Sequence, residues 1–222
     1  MFQPWAGHVP AGTELLSVQY PGRAERFREL HPEDVRELAR SVVEVLGRLE
    51  QVPTLLFGHS FGGIVAFEAA VQLDSAGTPV QALWVSAVAP PGAKAHGTTH
   101  QVNDEELWRA AVALGGIDAR VLEDDDLPAL LLPALRADIK AHETYAPDSD
   151  RQLISAPIRG VIGNHDRLVS TAEMAGWDSL TSGPFRLTER VGAHFHIHER
   201  PDDLMRLVFH ADRLAAVEGS AR

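Results

Sequence analysis

Short apolar runs alternate with longer amphipathic stretches along this chain. A short apolar run closed by proline or glycine is typical of a strand. The predicted strands are residues 13–19, 54–57, 82–88, 157–162 and 185–191. The run at residues 82–88 is apolar except for Ser86, which favours a strand buried on both faces of a parallel sheet.

Helical periodicity fills the intervals between these strands. Apolar residues recur at helical spacing in residues 32–49 and 201–214, and small and apolar residues, closed by Gly77 and Pro79, predict a helix at 61–76. Ser170, followed three residues later by Glu173, marks the start of another short helix. Strands and helices that alternate in this way predict the α/β class, with a mostly parallel sheet covered by helices on both faces.

A longer helical block, from about residue 97 to residue 147, separates the third and fourth predicted strands. Asn103 and Glu106 have the spacing of a helix start within this block. An acidic run at residues 123–126 interrupts it. Because the block is too long for a simple crossover, we predict that it forms a lid over the carboxyl edge of the sheet. Residues 1–222 would then form a single α/β domain with one helical insertion.

Composition and charge exclude several classes of function. Apolar residues make up 45% of the chain and charged residues 23%, as in ordinary globular proteins. The formal net charge of -11 argues against nucleic-acid binding and against docking on an anionic membrane. The chain has no cysteine, which excludes disulfides, thiolate metal sites and a cysteine nucleophile. With no signal-peptide pattern and no long apolar run, we expect a cytoplasmic protein without a membrane span.

The motif G-H-S-F-G at residues 58–62 contains the strongest chemical signal, Ser60. A serine hydroxyl becomes a useful nucleophile only with a base to take its proton and donors to hold the oxyanion. In G-x-S-x-G the serine lies on a strained turn between a strand and a helix, where bulky neighbours would clash. We therefore predict that Ser60 is the nucleophile and that Gly58 and Gly62, with Gly63 as well, make room for the turn. The backbone N–H of Phe61 would donate to the oxyanion.

An acid and a base are expected to follow the serine in the order carboxylate, then histidine. Asp166 comes just after the fourth predicted strand and His194 just after the last one. Both positions lie at the carboxyl ends of strands, where catalytic loops of such sheets are found. We predict that His194 is the general base and that Asp166 orients its imidazole.

His196 and His198 are alternatives to His194, because the three histidines are spaced two residues apart. In an extended segment they would share one face and could hold a metal ion. We favour His194 as a base and expect no metal site, because the serine motif accounts for one histidine without a metal.

Several segments resemble those of the type II thioesterases, stand-alone enzymes of the α/β-hydrolase fold that are associated with polyketide synthases and nonribosomal peptide synthetases. The resemblance extends over nearly the whole chain. It rests on P-G-R-x-x-R at residues 21–26, the serine motif at 58–63, the lid stretch at 132–145, the acid loop at 163–166 with Trp177, and G-x-H-F at 192–195. The first and last of these motifs are much more specific than G-x-S-x-G.

The resemblance implies a substrate and a partner. Enzymes of this family hydrolyse acyl groups from the phosphopantetheine thiol of a carrier protein, and so clear stalled or wrongly primed units. No cofactor is expected. Because carrier proteins are usually acidic, docking would need a local basic surface, and Arg23, Arg26 and Arg28 are the candidates. Solvated loop charge is an equally good interpretation of these arginines.

The resemblance is incomplete at the start of the sequence. Family members usually begin with an earlier strand and a Gly-rich loop of the F-P-Y-A-G-G type, which supplies the second oxyanion donor. Residues 1–5 instead resemble the helix that follows this loop. Removing one donor of an oxyanion hole costs about 3–4 kcal/mol. Three explanations of the missing loop are open: the start of the sequence is truncated, another N–H replaces the lost donor, or the protein is a catalytically impaired binding or scaffolding homologue. Two other hydrolase functions are also open, that of a small-molecule carboxylesterase and that of a chain-releasing thioesterase domain.

Overall fold

Four parallel strands form the sheet at the centre of the described structure. The computed structural model describes residues 2–32, 34–50, 52–93, 97–113, 115, 126–148 and 153–209. The strands are β1 (Leu55–His59), β2 (Ala82–Ser86), β3 (Ile158–Gly163) and β4 (Phe185–Arg190), and they lie in the order β1-β2-β3-β4. All three pairings are parallel. The prediction of an α/β fold with a mostly parallel sheet is confirmed.

Helices connect these strands as the periodicity predicted. They are α1 (Val35–Leu46), α2 (Phe61–Ser75), α3 (Asp104–Ala113), α4 (Leu127–Thr144), α5 (Thr171–Ala175) and α6 at residues 201–209. Asp34 caps α1 by accepting a hydrogen bond from the N–H of Arg36, so this helix begins later than the predicted residue 32. Ser170 and Glu173 form the predicted capping box at α5.

Residues 13–19 are an exception, because the predicted strand is not found there. Leu16 and Val18 are 53% and 55% exposed. A strand exists only where backbone groups pair with a neighbour, and within the described residues β1 pairs with β2 alone. Residues 13–19 and β1 both line one groove. Leu55, Leu56 and Phe57 of β1 are only half-buried.

Each face of the sheet packs against its own layer of apolar residues. Side chains alternate between the two faces along a strand, and β2 shows this directly. Leu83 and Val85 belong to a cluster with residues of α1 and α2, whereas Ala82 and Trp84 pack with Trp5 and with residues of α6. Helices therefore cover both faces, as predicted.

The insertion between β2 and β3 contains α3 and α4, in agreement with its helical pattern. Asn103 accepts a hydrogen bond from the N–H of Glu106 at the start of α3, as its spacing predicted. Residues 114 and 116–125 of the predicted lid, including most of the acidic run, lie outside the described residues. In the part of the chain that the structure describes, no helix combines the length and apolar character needed to cross a membrane.

Candidate active site

Ser60 lies on a sharp turn between β1 and α2. Its backbone has φ 51° and ψ -128°, a region that residues other than glycine rarely adopt. Two backbone hydrogen bonds hold the turn: the N–H of Ser60 donates to the carbonyl of Ser86 (2.7 Å), and the N–H of Gly63 donates to the carbonyl of Ser60 (2.8 Å). The side chain of Ser60 is thereby presented at the carboxyl edge of the sheet.

Gly58 and Gly63, two of the three glycines predicted to make room for this turn, are crowded by their surroundings. A Cβ atom on Gly58 would come within 2.1 Å of the carbonyl oxygen of Gly62, which is backbone that cannot move aside. A Cβ on Gly63 would meet Val88 Cγ1 at 2.7 Å. A Cβ on Gly62 would meet only Tyr20 Oη, at 3.9 Å. The steric role predicted for Gly62 is therefore wrong, because the first turn of α2 directs this position into free space and places Gly63 against the core.

The loops after β3 and β4 are held together by backbone contacts. Gly163, the last residue of β3, lies so close to the second loop that a Cβ there would be 2.4 Å from the carbonyl oxygen of Gly192. The N–H of His165 donates to this same carbonyl (2.9 Å), and the N–H of Gly192 donates to Asn164 Oδ1 (3.2 Å). The loop that carries Asp166 and the loop that carries His194 therefore form one unit.

Ser60, His194 and Asp166 form a continuous hydrogen-bonded array. His194 Nε2 is 3.2 Å from Ser60 Oγ, and His194 Nδ1 is 2.9 Å from Asp166 Oδ2. The side chains of His194 and Asp166 are 8% and 0% exposed, so water does not compete for the bond between them. The other oxygen, Asp166 Oδ1, accepts from the backbone N–H groups of Leu168 and Val169. The carboxylate is thus held in one orientation, with one oxygen facing the imidazole.

The backbone N–H of Phe61 belongs to the first residue of α2. The first N–H groups of a helix have no acceptor within the helix, and they lie at the positive end of its dipole. An N–H in this position, directly after the serine, can donate to an oxyanion that forms on a substrate carbonyl attacked by Ser60.

The three histidines at residues 194, 196 and 198 do not form the extended row that a metal site would need. The segment 194–199 is a succession of turns. His196 Nε2 is 3.1 Å from Ser86 Oγ, whereas His198 stacks on Phe195. Among the described residues, no group of three histidine or acidic side chains is placed to hold a metal ion.

Ser86, the last residue of β2, is a site residue that the sequence pattern did not indicate. Its side chain lies between His59 and His196, and its carbonyl accepts from the N–H of Ser60. The available signal was a single hydroxyl at the carboxyl end of an otherwise apolar strand. This signal is weak without knowledge of which loops meet there.

A large groove of 2430 Å³ opens at Ser60 and His194. Leu135 and Ile139 of α4 line it on the side of the insertion. The ring of Phe61 lies 6.1 Å from that of His142, also on α4. Many of the residues that line the groove are apolar.

Comparison with known proteins agrees with this geometry. The chain is 37% identical over 209 residues to thioesterase PikA5 of Streptomyces venezuelae, covering 93% of this chain and 73% of that protein. It is 33% identical over 217 residues to the probable cadicidin biosynthesis thioesterase of Streptomyces griseus, covering 96% of this chain. The chain spans only 60% of the length of that relative.

Solved structures and a family model lead to the same assignment. The type II thioesterase BorB from the borrelidin biosynthetic cluster superposes with a TM-score of 0.81 at 36% identity, over 93% of this chain and 82% of that chain. A family model described as the thioesterase domain matches residues 1–211. The chain therefore belongs to the thioesterase-domain family, and its predicted resemblance to the type II thioesterases of polyketide and nonribosomal peptide pathways is confirmed.

Proposed function

We propose that this protein hydrolyses acyl thioesters carried on the phosphopantetheine arm of acyl or peptidyl carrier proteins. The observation that supports this most strongly is the hydrogen-bonded array of Ser60, His194 and Asp166, in which Ser60 and His194 line the large groove. In a member of the thioesterase family, this array supplies a nucleophile, a base and an orienting carboxylate in the expected chain order. Removal of misprimed or stalled acyl units from an assembly line is the corresponding biological role.

The reaction would proceed in two steps. Ser60 Oγ attacks the thioester carbonyl while His194 Nε2 takes the hydroxyl proton, and the N–H of Phe61 donates to the oxyanion. The tetrahedral intermediate collapses to an acyl-Ser60 ester, and the departing thiolate takes the proton from His194. Water, deprotonated by His194, then attacks this ester, and the carboxylic acid leaves as Ser60 recovers its proton.

The groove and the insertion would bind the substrate within a single α/β domain, with residues 97–147 acting as the lid. The apolar lining suits an acyl chain, and Leu135 and Ile139 of α4 would contact it. The cytoplasmic location expected from the sequence stays a prediction.

Docking of the carrier protein would depend on fewer arginines than the sequence suggested. Arg23 contacts Asp138 and the carbonyl of Ala134, and Arg26 binds the carboxylate of Glu29 and the carbonyl of Gln19. The guanidinium groups of Arg23 and Arg26 thus both bind partners within the protein. Arg28 is exposed and has no ion pair among the described residues, so it is the best remaining candidate for a contact with an acidic carrier.

Substrate comparison and replacement of the nucleophile test the proposal together. Wild-type protein should release the acid from an acyl-carrier protein and react with a fluorophosphonate probe. Ser60→Ala should abolish both reactions, while Ser179→Ala, which alters an exposed serine on another helix, should leave both unchanged. Faster hydrolysis of simple carboxylic esters than of acyl-carrier thioesters would reject the proposed substrate. A wild-type protein that fails to label at Ser60 would favour a binding or scaffolding role.

A further inference from the structure

Ser86 connects the two segments that carry the proposed nucleophile and base. Its Oγ is 3.0 Å from His59 Nδ1 and 3.1 Å from His196 Nε2. His59 directly precedes Ser60, and His196 lies two residues after His194. The single hydroxyl of Ser86 can donate to one imidazole while it accepts from the other, so it links residues 59 and 196 in one chain of hydrogen bonds.

This chain of hydrogen bonds is shielded from water. Ser86 and His196 are 0% exposed and His59 is 5% exposed. Burial holds the pKa of His196 down at about 4 and that of His59 well below its ordinary value, so both rings are neutral near pH 7. The outer ring nitrogens, His59 Nε2 and His196 Nδ1, are buried without a hydrogen-bond partner in the described part of the chain. Ser86 is therefore the side-chain partner on which both imidazoles depend.

Two further contacts bring this network to the reacting atoms. The carbonyl of Ser86 accepts from the N–H of Ser60, so the same residue holds the strained turn through its backbone. The ring of His59 packs 5.1 Å from the ring of His194, between centroids. A displacement of His59 or His196 would therefore be transmitted to Ser60, to His194 or to both.

We propose that Ser86 is a positioning residue that sets the distance between Ser60 Oγ and His194 Nε2. Its carbonyl and hydroxyl tie the turn after β1 and the loop after β4 to the end of β2. The inference rests on the proposed function, because it assigns Ser86 a role in the reaction of Ser60. If Ser86 had a purely structural role, its replacement would lower only the stability of the fold. A positioning role predicts that the reactivity of Ser60 falls as well.

The test uses Ser86→Ala, which removes only the hydroxyl, and Thr181→Val as a matched control. Thr181 is also buried, and its hydroxyl donates to backbone carbonyls of residues 154 and 156, away from Ser60. Measurements are the rate of fluorophosphonate labelling at Ser60, kcat and KM for an acyl-thioester of N-acetylcysteamine, and Tm. All rates are taken at a temperature where each variant is folded.

We expect Ser86→Ala to slow labelling and kcat by about tenfold or more, because small misplacements of reacting groups have effects of this size. KM should change by less than about twofold, as expected for an effect on the reacting atoms rather than on binding. Thr181→Val should lower Tm without slowing either reaction. His196→Gln, which keeps a polar atom near the position of Nε2, should retain more activity than His196→Leu.

Wild-type rates in Ser86→Ala, with only a loss of Tm like that of Thr181→Val, would overturn the inference. Labelling distinguishes this failure from that of the proposed function, because it reports the reactivity of Ser60 whatever the natural substrate. If wild-type protein labels but does not cleave thioesters, the proposed substrate is wrong and the labelling rates still decide the role of Ser86. If Ser60 does not label at all, both proposals fail.

Discussion

Arg23 donates hydrogen bonds to the carboxylate of Asp138 and to the carbonyl of Ala134, across more than one hundred residues of sequence. Asp138 and Ala134 belong to α4, the longer helix of the insertion. The guanidinium also lies over the ring of Tyr20, 5.7 Å from its centroid. The segment that carries P-G-R-x-x-R is therefore one of the places where the insertion is attached to the rest of the domain.

Loss of this attachment should loosen the insertion. Burial raises the pKa of Asp138 and Arg23 opposes that rise, so Arg23→Ala leaves a half-buried carboxylate without its cation. Since both side chains keep some contact with water, we expect a loss of about 1–2 kcal/mol in the free energy of unfolding. Hydrogen exchange should also increase in α4, while Arg109→Ala, which removes a surface pair within α3, should leave this exchange unchanged. Unaltered exchange in Arg23→Ala would refute the role of this contact.

The two glycines of the serine motif should respond differently to alanine. Gly58→Ala places a methyl group against backbone of Gly62, so the turn must distort and Ser60 must move. We expect poor folding, or a folded protein whose labelling by a fluorophosphonate is at least about a hundredfold slower. The methyl group of Gly62→Ala meets only the end of Tyr20, at an ordinary contact distance of 3.9 Å, so its activity should stay within about threefold of the wild type. Equal losses in the two variants would contradict this steric argument.

Asp166→Asn should inactivate the protein without unfolding it. Asparagine can still accept from the N–H groups of Leu168 and Val169 through its oxygen. Its amide NH₂ would then face His194 Nδ1 and would favour the tautomer that has its proton on Nε2, which cannot accept the proton of Ser60. We expect kcat to fall roughly 10³–10⁴-fold with little change in Tm. Asp178→Asn on the surface serves as the control, and a loss below tenfold in Asp166→Asn would argue against the assigned role.

Stability should decrease in mild acid because of His196. Burial is the largest cause and the charge of Arg190 the next, and together they lower the pKa of His196 in the folded protein from 6.5 to about 4. The charge of Asp166 raises this pKa, and smaller contributions from His194 and His198 lower it further. The unfolded chain therefore binds a proton first as the pH falls. The contribution of neutral His196 to stability is complete above pH 6.5 and is lost between pH 6.5 and 4, to a limit of roughly 3 kcal/mol.

Chemical denaturation of wild type and His196→Leu between pH 7 and pH 4 measures this contribution. The variant should lose less stability over this range than the wild type, although the lowered pKa of buried His59 leaves it some pH dependence. Replacement of the exposed His165 by glutamine should not alter the wild-type profile. Parallel curves for wild type and His196→Leu would show that His196 is not the group responsible.

Local patterns were sufficient to predict most of the fold. The residues of β2 are apolar except for Ser86 at its end, so the prediction of a strand buried on both faces could be made without knowing its neighbours. The α2 helix and the capping box of α5 were also predicted correctly, because helix starts depend on residues a few positions apart. Residues 13–19 show the limit of such reasoning, since an apolar run forms a strand only when another strand pairs with it.

The sequence by itself determined that Ser60, Asp166 and His194 follow three strands at their carboxyl ends, because strand order and loop position are properties of the chain. Only the tertiary structure decided that these residues lie within hydrogen-bond distance of one another. It also decided that Gly63 rather than Gly62 is crowded, that Ser86 joins His59 to His196, and that Arg23 is used to hold α4. The physical reason is that each of these relationships depends on distances between segments that are far apart in sequence, and no local pattern of residues encodes such distances.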